Sequence, residues 1–322
     1  MNRLLVLVIV VLIPIAIITK DDSKKVYSEI PDDIALEFPV RYQEEDIVKS
    51  NEDKKEVLVS SNRDKSNPYY VDLEEYIVGV VAGEMPASFN IEALKAQAVA
   101  ARTYALYKMQ NVPGYVLSTT VNDQVYLSID AMKNKWGNEF SYYYNRVKEA
   151  VEFTKGEVVT YNGEVIIAYY FAISNGATDD AKTVFNEDRA YLVSVDSSWD
   201  KNYGVYKSGF NMSKSNFLSR LGLTGSDVTI SNVIRGNNNY VREVTINNRK
   251  FTGLEIFSKL NLRSTDFNLS INGNNVYIET LGFGHSVGMS QYGAQGMASA
   301  GKSYQDILKH YYKNTEITKL EV

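Results

Sequence analysis

The hydrophobic pattern changes character three times along the chain. An uncharged apolar run from Leu4 to Ile18 lies between Arg3 and Thr19-Lys20. A run of that kind approaches the roughly 17–20 residues that cross a hydrocarbon core. The Ala16-Ile17-Ile18 segment offers no persuasive small-x-small cleavage site, so residues 1–20 are expected to be an uncleaved membrane anchor rather than a removed leader. From residue 21 to 67 polar and charged residues dominate, as in Lys49-Ser-Asn-Glu-Asp-Lys-Lys55, and the pattern is that of a solvated stalk. Within it, Val57-Leu58-Val59 is a β-like piece able to pair with a folded domain. Residues 68–322 carry the periodic patterns of a folded region, in one or two lobes.

Asp72-Leu-Glu-Glu75 opens an apolar stretch that reads as a capped helix with Asp72 at the N-cap and Glu75 in the reciprocal position. The helix is expected to end near Gly83, because Met85 precedes Pro86 and is pushed out of the α region. A second helix is predicted from Asn90 to Gln110, rich in alanine and other strong helix formers. Beyond it the pattern predicts a strand at Asp123–Leu127, a helix at Tyr143–Thr154 and a hairpin turning at Asn162-Gly163. Phe171–Thr178 reads as a small-residue loop, Ser213 as the cap of a helix through Arg220, and Asn272-Gly273 as a second hairpin turn. The glycine-rich Gly282–Met297 leads into a small-residue helix, and a last helix runs from Ser303 to Tyr312. Helices alternating with hairpins, without βαβ spacing, give an α+β fold of mixed helices and β-hairpins.

Composition narrows the chemistry. The net charge of −5 gives no basis for phosphate-driven nucleic-acid binding. With no cysteine there is no thiol catalysis and no thiolate metal site, and two histidines leave little for a metal centre. The Gly282–Gly296 run lacks the lysine and spacing of a P-loop. Tyrosine is in excess, 24 against 12 Phe and 2 Trp, and its rings with polar tips suit wet clefts as well as cores. Glu84 falls in the tight connection between the first two helices, where rigid elements can aim a carboxylate into a cleft. Taken alone, it is more simply a surface residue at a helix end.

The residues around Glu84 change that weighing. Leu73-Glu-Glu-Tyr-Ile-Val-Gly-Val-Val-Ala-Gly-Glu-Met-Pro-Ala-Ser-Phe89, continued by Glu92-Ala-Leu-Lys-Ala-Gln-Ala-Val-Ala-Ala-Arg-Thr-Tyr-Ala105, closely resembles the stage II sporulation protein D family. Gly284-His-Ser-Val-Gly-Met-Ser-Gln-Tyr-Gly-Ala294, Ile307-Leu-Lys-His-Tyr-Tyr312 and Tyr191-Leu-Val-Ser-Val-Asp196 with Trp199-Asp200 resemble its later motifs. The resemblance implies a glycan-binding groove and a membrane-anchored lytic transglycosylase. Such an enzyme cuts peptidoglycan after N-acetylmuramic acid to leave 1,6-anhydromuramyl ends during forespore engulfment, with Glu84 as the single acid/base. The related alternative is a noncatalytic wall-binding enhancer of an amidase.

By the same resemblance, Lys95, Gln97, Arg102, Tyr104, Gln124, Tyr126, Ser174, His285, Ser290 and Gln291 are expected to bind substrate. Lys95 and Arg102 share one face of the second helix and Gln97 and Tyr104 another, so the four cannot all meet one cleft. An arginine beside Glu84 would hold it ionised, so Arg102 is assigned to orientation or to a main-chain carbonyl. His285 serves equally as a loop-stabilising partner or a substrate contact, and His310 as packing. A hydrolase needs a second carboxylate; Asp123, Asp179, Asp180 and Asp200 are the candidates. Two departures from the family pattern stand out. Thr119-Thr-Val-Asn-Asp123 replaces the cysteine- and histidine-containing zinc site of some relatives, so neither metal nor cofactor is expected, and Ser174-Asn175-Gly176 stands where Ser-Gly-Gly is common. The resemblance also implies a place outside the cytoplasm at the sporulation septum and engulfing membrane. Its expected partners are glycan strands stripped of stem peptides, and stage II sporulation proteins P and M.

Overall fold

Asp72 Oδ1 accepts hydrogen bonds from the main-chain N–H groups of Glu74 and Glu75, at 3.0 and 3.1 Å, and so starts α1 (Leu73–Glu84). Pre-proline Met85, extended at φ −127° and ψ 142°, stops it. Asn90 caps α2 (Ile91–Asn111), which is buried on every side from Ala93 to Leu106. Its alanines allow close approach from all directions, and it is the axle of the molecule. The computed structural model describes residues 55–62 and 65–320. Among these no helix is long and apolar enough to cross a membrane. The anchor expected over residues 1–20, and most of the expected stalk, lie outside the described residues.

The remaining α-helices among the described residues are α3 (Ile129–Trp136), α4 (Phe140–Phe153), the short α5 (Ala181–Phe185), α6 (Lys214–Leu221), α7 (Gly253–Leu260), α8 (Gln291–Ser299) and α9 (Tyr304–Tyr311). Around α2 pack α1, α4, α8, α9 and the strand Glu157–Tyr161. That strand pairs with Glu164–Val165 and with the chain's last strand, Glu316–Lys319. The first pairing closes through Asn162 and Gly163, whose φ values of 52° and 84° suit the expected hairpin turn. Glu56–Ser60 pairs antiparallel with Tyr69–Asp72 and parallel with Leu117–Ser118, and Val57 and Val59 are fully buried. The β-like piece inside the 21–67 stretch is therefore part of the fold, which reaches back beyond residue 68.

Buried apolar side chains form two separate clusters. The larger surrounds α2; the second lies within residues 212–278, from Met212 to Ile278. The second is enclosed by two three-stranded antiparallel sheets with α6 and α7. The first sheet joins Lys207–Ser213, Asn275–Leu281 and Phe267–Asn272, and the second Ile230–Arg235, Val241–Ile246 and Arg249–Thr252. The joint between the clusters is polar. Arg242 ion-pairs with Asp179 at 2.7 Å, Asn175 Nδ2 donates to Asp266 Oδ2 at 2.8 Å, and Tyr240 OH to the Ala177 carbonyl at 2.8 Å. Asn175 keeps a negative φ, and Gly176 takes the positive value of 111°. The departure at Asn175 thus strains nothing and supplies an amide that ties the two parts together. The structure is α+β throughout; it does not delineate the glycan groove that the resemblance implies.

One predicted element is absent. Among the described residues, Asp123–Leu127 belongs to no sheet. Its amides are used otherwise: Val125 N–H goes to Glu84 Oε1 (2.7 Å), Tyr126 N–H to Thr119 O (3.1 Å) and Leu127 N–H to Gly79 O (3.0 Å). Side-chain alternation marks an extended chain, and it does not say whether a ladder or a carboxylate receives the N–H groups.

Candidate active site

Two glycines spaced one helical turn apart on α1 build the site. A Cβ on Gly79 would lie 2.2 Å from the Tyr126 ring, and one on Gly83 would lie 2.3 Å from the Val125 carbonyl oxygen. Their smooth face lets residues 125–127 lie directly against the helix. That approach delivers the Val125 N–H to the carboxylate of Glu84, the last residue of α1.

Glu84 is 8% exposed. Its carboxyl also receives side-chain hydrogen bonds from Gln291 and Tyr170, and it feels the charge of Lys135. Burial outweighs these stabilising contacts and pushes the carboxyl up to about 7 from 4.5. The C-terminal end of a helix, where unpaired carbonyls gather, acts in the same direction. Lys135 reaches in from an exposed position on α3, its Nζ donating to Ala82 O at 2.9 Å, and desolvation lowers its own pKa.

The donors are fixed from behind. Gln124 Nε2 donates to the Ala101 carbonyl (3.2 Å), which settles the amide's orientation, and also to Tyr170 OH (2.9 Å); its Oε1 accepts from Tyr76 OH (3.2 Å). Tyr170 OH is therefore an acceptor toward Gln124 and keeps its proton for Glu84. His285 is buried, with Nδ1 accepting from Val287 N–H (3.1 Å) and Nε2 donating to the Tyr170 carbonyl (3.1 Å). Burial lowers it to about 4, so the ring is neutral and acts as a brace for Tyr170. Gln291, the first residue of α8, bonds weakly through Nε2 to Gln97 Oε1 at 3.4 Å. Gln97 Nε2 is buried with no acceptor among the described residues.

Ser174 and Ser290 meet at a different carboxylate. Asp200 is fully buried and accepts from Ser174 Oγ (2.5 Å), Ser174 N–H (2.9 Å), Ser197 Oγ (2.9 Å) and Ser290 Oγ (2.9 Å). Desolvation still raises it to about 6. Because Ser290 caps α8, this knot fixes the helix end that presents Gln291. Tyr126 stacks on Tyr76, with ring centroids 5.6 Å apart, and lies against Gly79.

Three expected substrate contacts point elsewhere. Arg102 is fully buried, paired bidentately with Glu74 (Nε–Oε1 2.8 Å, Nη2–Oε2 2.5 Å) and bonded to the carbonyls of Glu157 and Val151. That corrects its placement at a glycan and agrees with the carbonyl role considered for it. Lys95 bonds to Glu92 at 2.7 Å, with its ammonium 3.6 Å from the Phe153 ring centroid. Tyr104 OH donates to Asp123 Oδ1 at 3.1 Å. Of the four candidates on α2, only Gln97 reaches the Glu84 cluster, since the all-round burial of this helix sends each face to a different neighbour. His310 packs edge-on against Trp199 and bonds to the Asp196 carbonyl.

None of the four candidate second carboxylates bonds to Glu84. Asp123 holds Tyr104, Tyr115, Ser118 N–H and Lys65; Asp179 holds Arg242; Asp180 caps α5; and Asp200 holds its serines. Tyr170, Lys135 and the Val125 N–H are the site groups that sequence reasoning missed. Only Lys135, a basic residue with an apolar flank, carried even a faint sequence signal.

The family model described as stage II sporulation protein matches residues 62–161. Stage II sporulation protein D of Bacillus amyloliquefaciens is 40% identical over 273 residues, covering 82% of this chain and 78% of that protein. The chain belongs to the stage II sporulation protein D family. The Bacillus subtilis protein of the same name is 39% identical over 259 residues, 78% of this chain and 76% of its own length. An amidase enhancer of Bacillus subtilis is 30% identical over 297 residues, covering 74% of this chain and 40% of that longer protein. The family matched is thus a sporulation one. The region matched by its family model contains Glu84, Gln97, Gln124, Val125 and Lys135 of the site, whereas Tyr170, His285 and Gln291 come from later in the chain.

Proposed function

We propose that this stage II sporulation protein D family member is a lytic transglycosylase that cleaves peptidoglycan strands after N-acetylmuramic acid. The observation that carries the reading is the Glu84 carboxyl, buried, raised to about 7 and held by Val125 N–H, Tyr170 and Gln291. An acid with that pKa is half protonated near neutrality and works in both directions. Glu84 gives its proton to the departing glycosidic oxygen as the C1–O bond breaks. The muramic C6 hydroxyl oxygen then bonds to C1, and its proton returns to Glu84. Water is neither consumed nor released, so no second carboxylate is needed to activate it. That requirement agrees with four candidate aspartates already engaged elsewhere. The buried Gln97 Nε2 without an acceptor supplies a further donor beside Gln291 for a substrate oxygen.

By family analogy the reaction belongs to forespore engulfment. In this reading residues 1–20 anchor the enzyme in the membrane at the sporulation septum, with the catalytic region outside the cytoplasm. Stage II sporulation protein P supplies strands stripped of stem peptides, and protein M serves as scaffold. The likeness to an amidase enhancer supports the second reading, a wall-binding stimulator without chemistry of its own. Mass spectrometry of products from purified peptidoglycan separates the readings: 1,6-anhydromuramyl ends that vanish in Glu84→Gln support the enzyme. Reducing ends point to a hydrolase, and no cleavage leaves the enhancer.

A further inference from the structure

Two cations grip the main chain on either side of Glu84. Lys135 donates to Ala82 O, before it, at 2.9 Å; Arg146, on α4, donates through Nε to Ala87 O (3.1 Å) and through Nη2 to Phe89 O (2.6 Å), after it. Both are bonded to neutral carbonyls and form no ion pair with a carboxylate among the described residues. Neither cation is therefore neutralised by a direct ion pair, and Lys135 also feels the field of Glu84.

A row of rings starts at these cations. Lys135 Nζ lies 6.0 Å from the Trp136 ring centroid, Trp136 lies 5.7 Å from Tyr143, Tyr143 lies 5.2 Å from Tyr142, and the Arg146 guanidinium lies 5.8 Å from Tyr142. Trp136 and Tyr143 are half-buried, and Tyr142 is 61% exposed. The row thus leads from the cations that grip the main chain around Glu84 out to solvent. Flat rings with polar tips present apolar faces without losing their hydrogen bonds to water, and the pyranose ring has a matching C–H face. The exposed Lys133, Asn138 and Glu139 between and beside the rings are unsuited to a lipid surface.

We propose that the α3–α4 face is a carbohydrate subsite continuous with Glu84. There Trp136, Tyr143 and Tyr142 stack on amino-sugar rings, while Lys135 and Arg146 meet the lactyl carboxylates of a strand whose stem peptides are gone. The inference rests on the glycan-cleaving reading above and extends it to the side chains that receive the strand.

The chain's two tryptophans make the test direct. In detergent-solubilised full-length protein carrying Glu84→Gln and Trp199→Phe, Trp136 is the sole indole. Titration with peptide-free glycan strands is expected to shift its emission to the blue with saturation. Tyr142→Ala and Tyr143→Ala should each weaken binding by about tenfold, equivalent to ~1.4 kcal/mol, with Phe at either position restoring it. Lys135→Gln should weaken binding of strands with free lactyl groups more than binding of N-acetylglucosamine oligomers, which lack them. Co-sedimentation with silent Trp136 emission, or Tyr142→Ala and Tyr143→Ala variants that bind as the parent does, would overturn the subsite. If wild-type protein still yields anhydromuramyl ends in that case, the catalytic reading stands and the subsite alone fails. Absence of both strand binding and cleavage defeats the two together.

Discussion

The main-chain N–H of Val125 donates to Oε1 of Glu84 across 2.7 Å, joining a segment outside any sheet to the last residue of a helix. Neither group is unusual by itself. The pairing exists because Gly79 and Gly83 let the segment lie against α1, and it holds the buried carboxyl in one orientation.

Glu84→Gln is expected to abolish product formation and to stabilise the fold in alkaline solution. Burial raises the carboxyl from 4.5 to about 7, so the folded chain holds this proton more tightly than the unfolded chain. The favourable contribution is complete below pH 4.5 and is lost as pH rises through 7. Glutamine retains the acceptor for Val125 and carries no charge. Melting temperatures should rise at about pH 8, by the equivalent of up to roughly 3 kcal/mol, and change little near pH 4.5. A shift of equal size at both pH values would refute the buried-charge account.

Tyr170→Phe and Gln291→Ala each remove a hydrogen bond that favours the ionised form of Glu84. The alkaline limb of the cleavage rate should therefore move to higher pH in both variants, together with a fall in maximal rate from loss of orientation. Rate profiles across neutrality check this, and an unmoved limb would remove both side chains from the account of the acid.

Gly83→Ala tests how the site is built. The new methyl group would meet the Val125 carbonyl, a main-chain atom that cannot swing aside. Destabilisation of about 1–3 kcal/mol is expected, with loss of cleavage larger than the stability change explains, since Val125 must move from Glu84. Full activity in a folded Gly83→Ala protein would show that this contact is dispensable.

Arg102→Met should destabilise the chain by about 3 kcal/mol by leaving Glu74 half-buried without its partner. The double variant with Glu74→Leu should recover much of that loss. Denaturant unfolding measures both; strictly additive losses would mean that the pair is not coupled.

His285 makes the opposite pH prediction to Glu84. Burial depresses it from 6.5 to about 4, so the unfolded chain takes up this proton first. Its contribution is complete above pH 6.5 and is lost as pH falls toward 4, while Glu84 and Asp200, both raised, act in the other direction. His285→Gln should flatten the acid limb of a stability profile and lower the cleavage rate through Tyr170. An unchanged acid limb would mean that His285 is not the buried neutral group described.

Much of this was legible because it is local. Asp72 and Ser213 each cap the helix expected of them, the second helix starts beside Asn90 as read, the Asn162-Gly163 hairpin closes as read, and Met85 breaks α1 because a proline follows. Chain direction at such points depends on a few neighbouring residues, and the sequence contains them all. It also singled out Glu84, through an uninterrupted motif that composition alone would never have marked.

What the sequence could not decide is which distant groups share one small volume. Tyr170, Lys135 and the Val125 amide reach Glu84 from three segments, and the ten expected substrate contacts divide among the Glu84 cluster, the Asp200 knot and structural ion pairs, hydrogen bonds and ring contacts. A helix buried all round, as α2 is, carries no periodicity to say which face meets which neighbour. Burial also sets the pKa of Glu84. Desolvation is a property of everything packed around a carboxyl, so its acid strength was decided by the tertiary structure, whereas its position on a helix end was already written in Gly83-Glu84-Met85-Pro86.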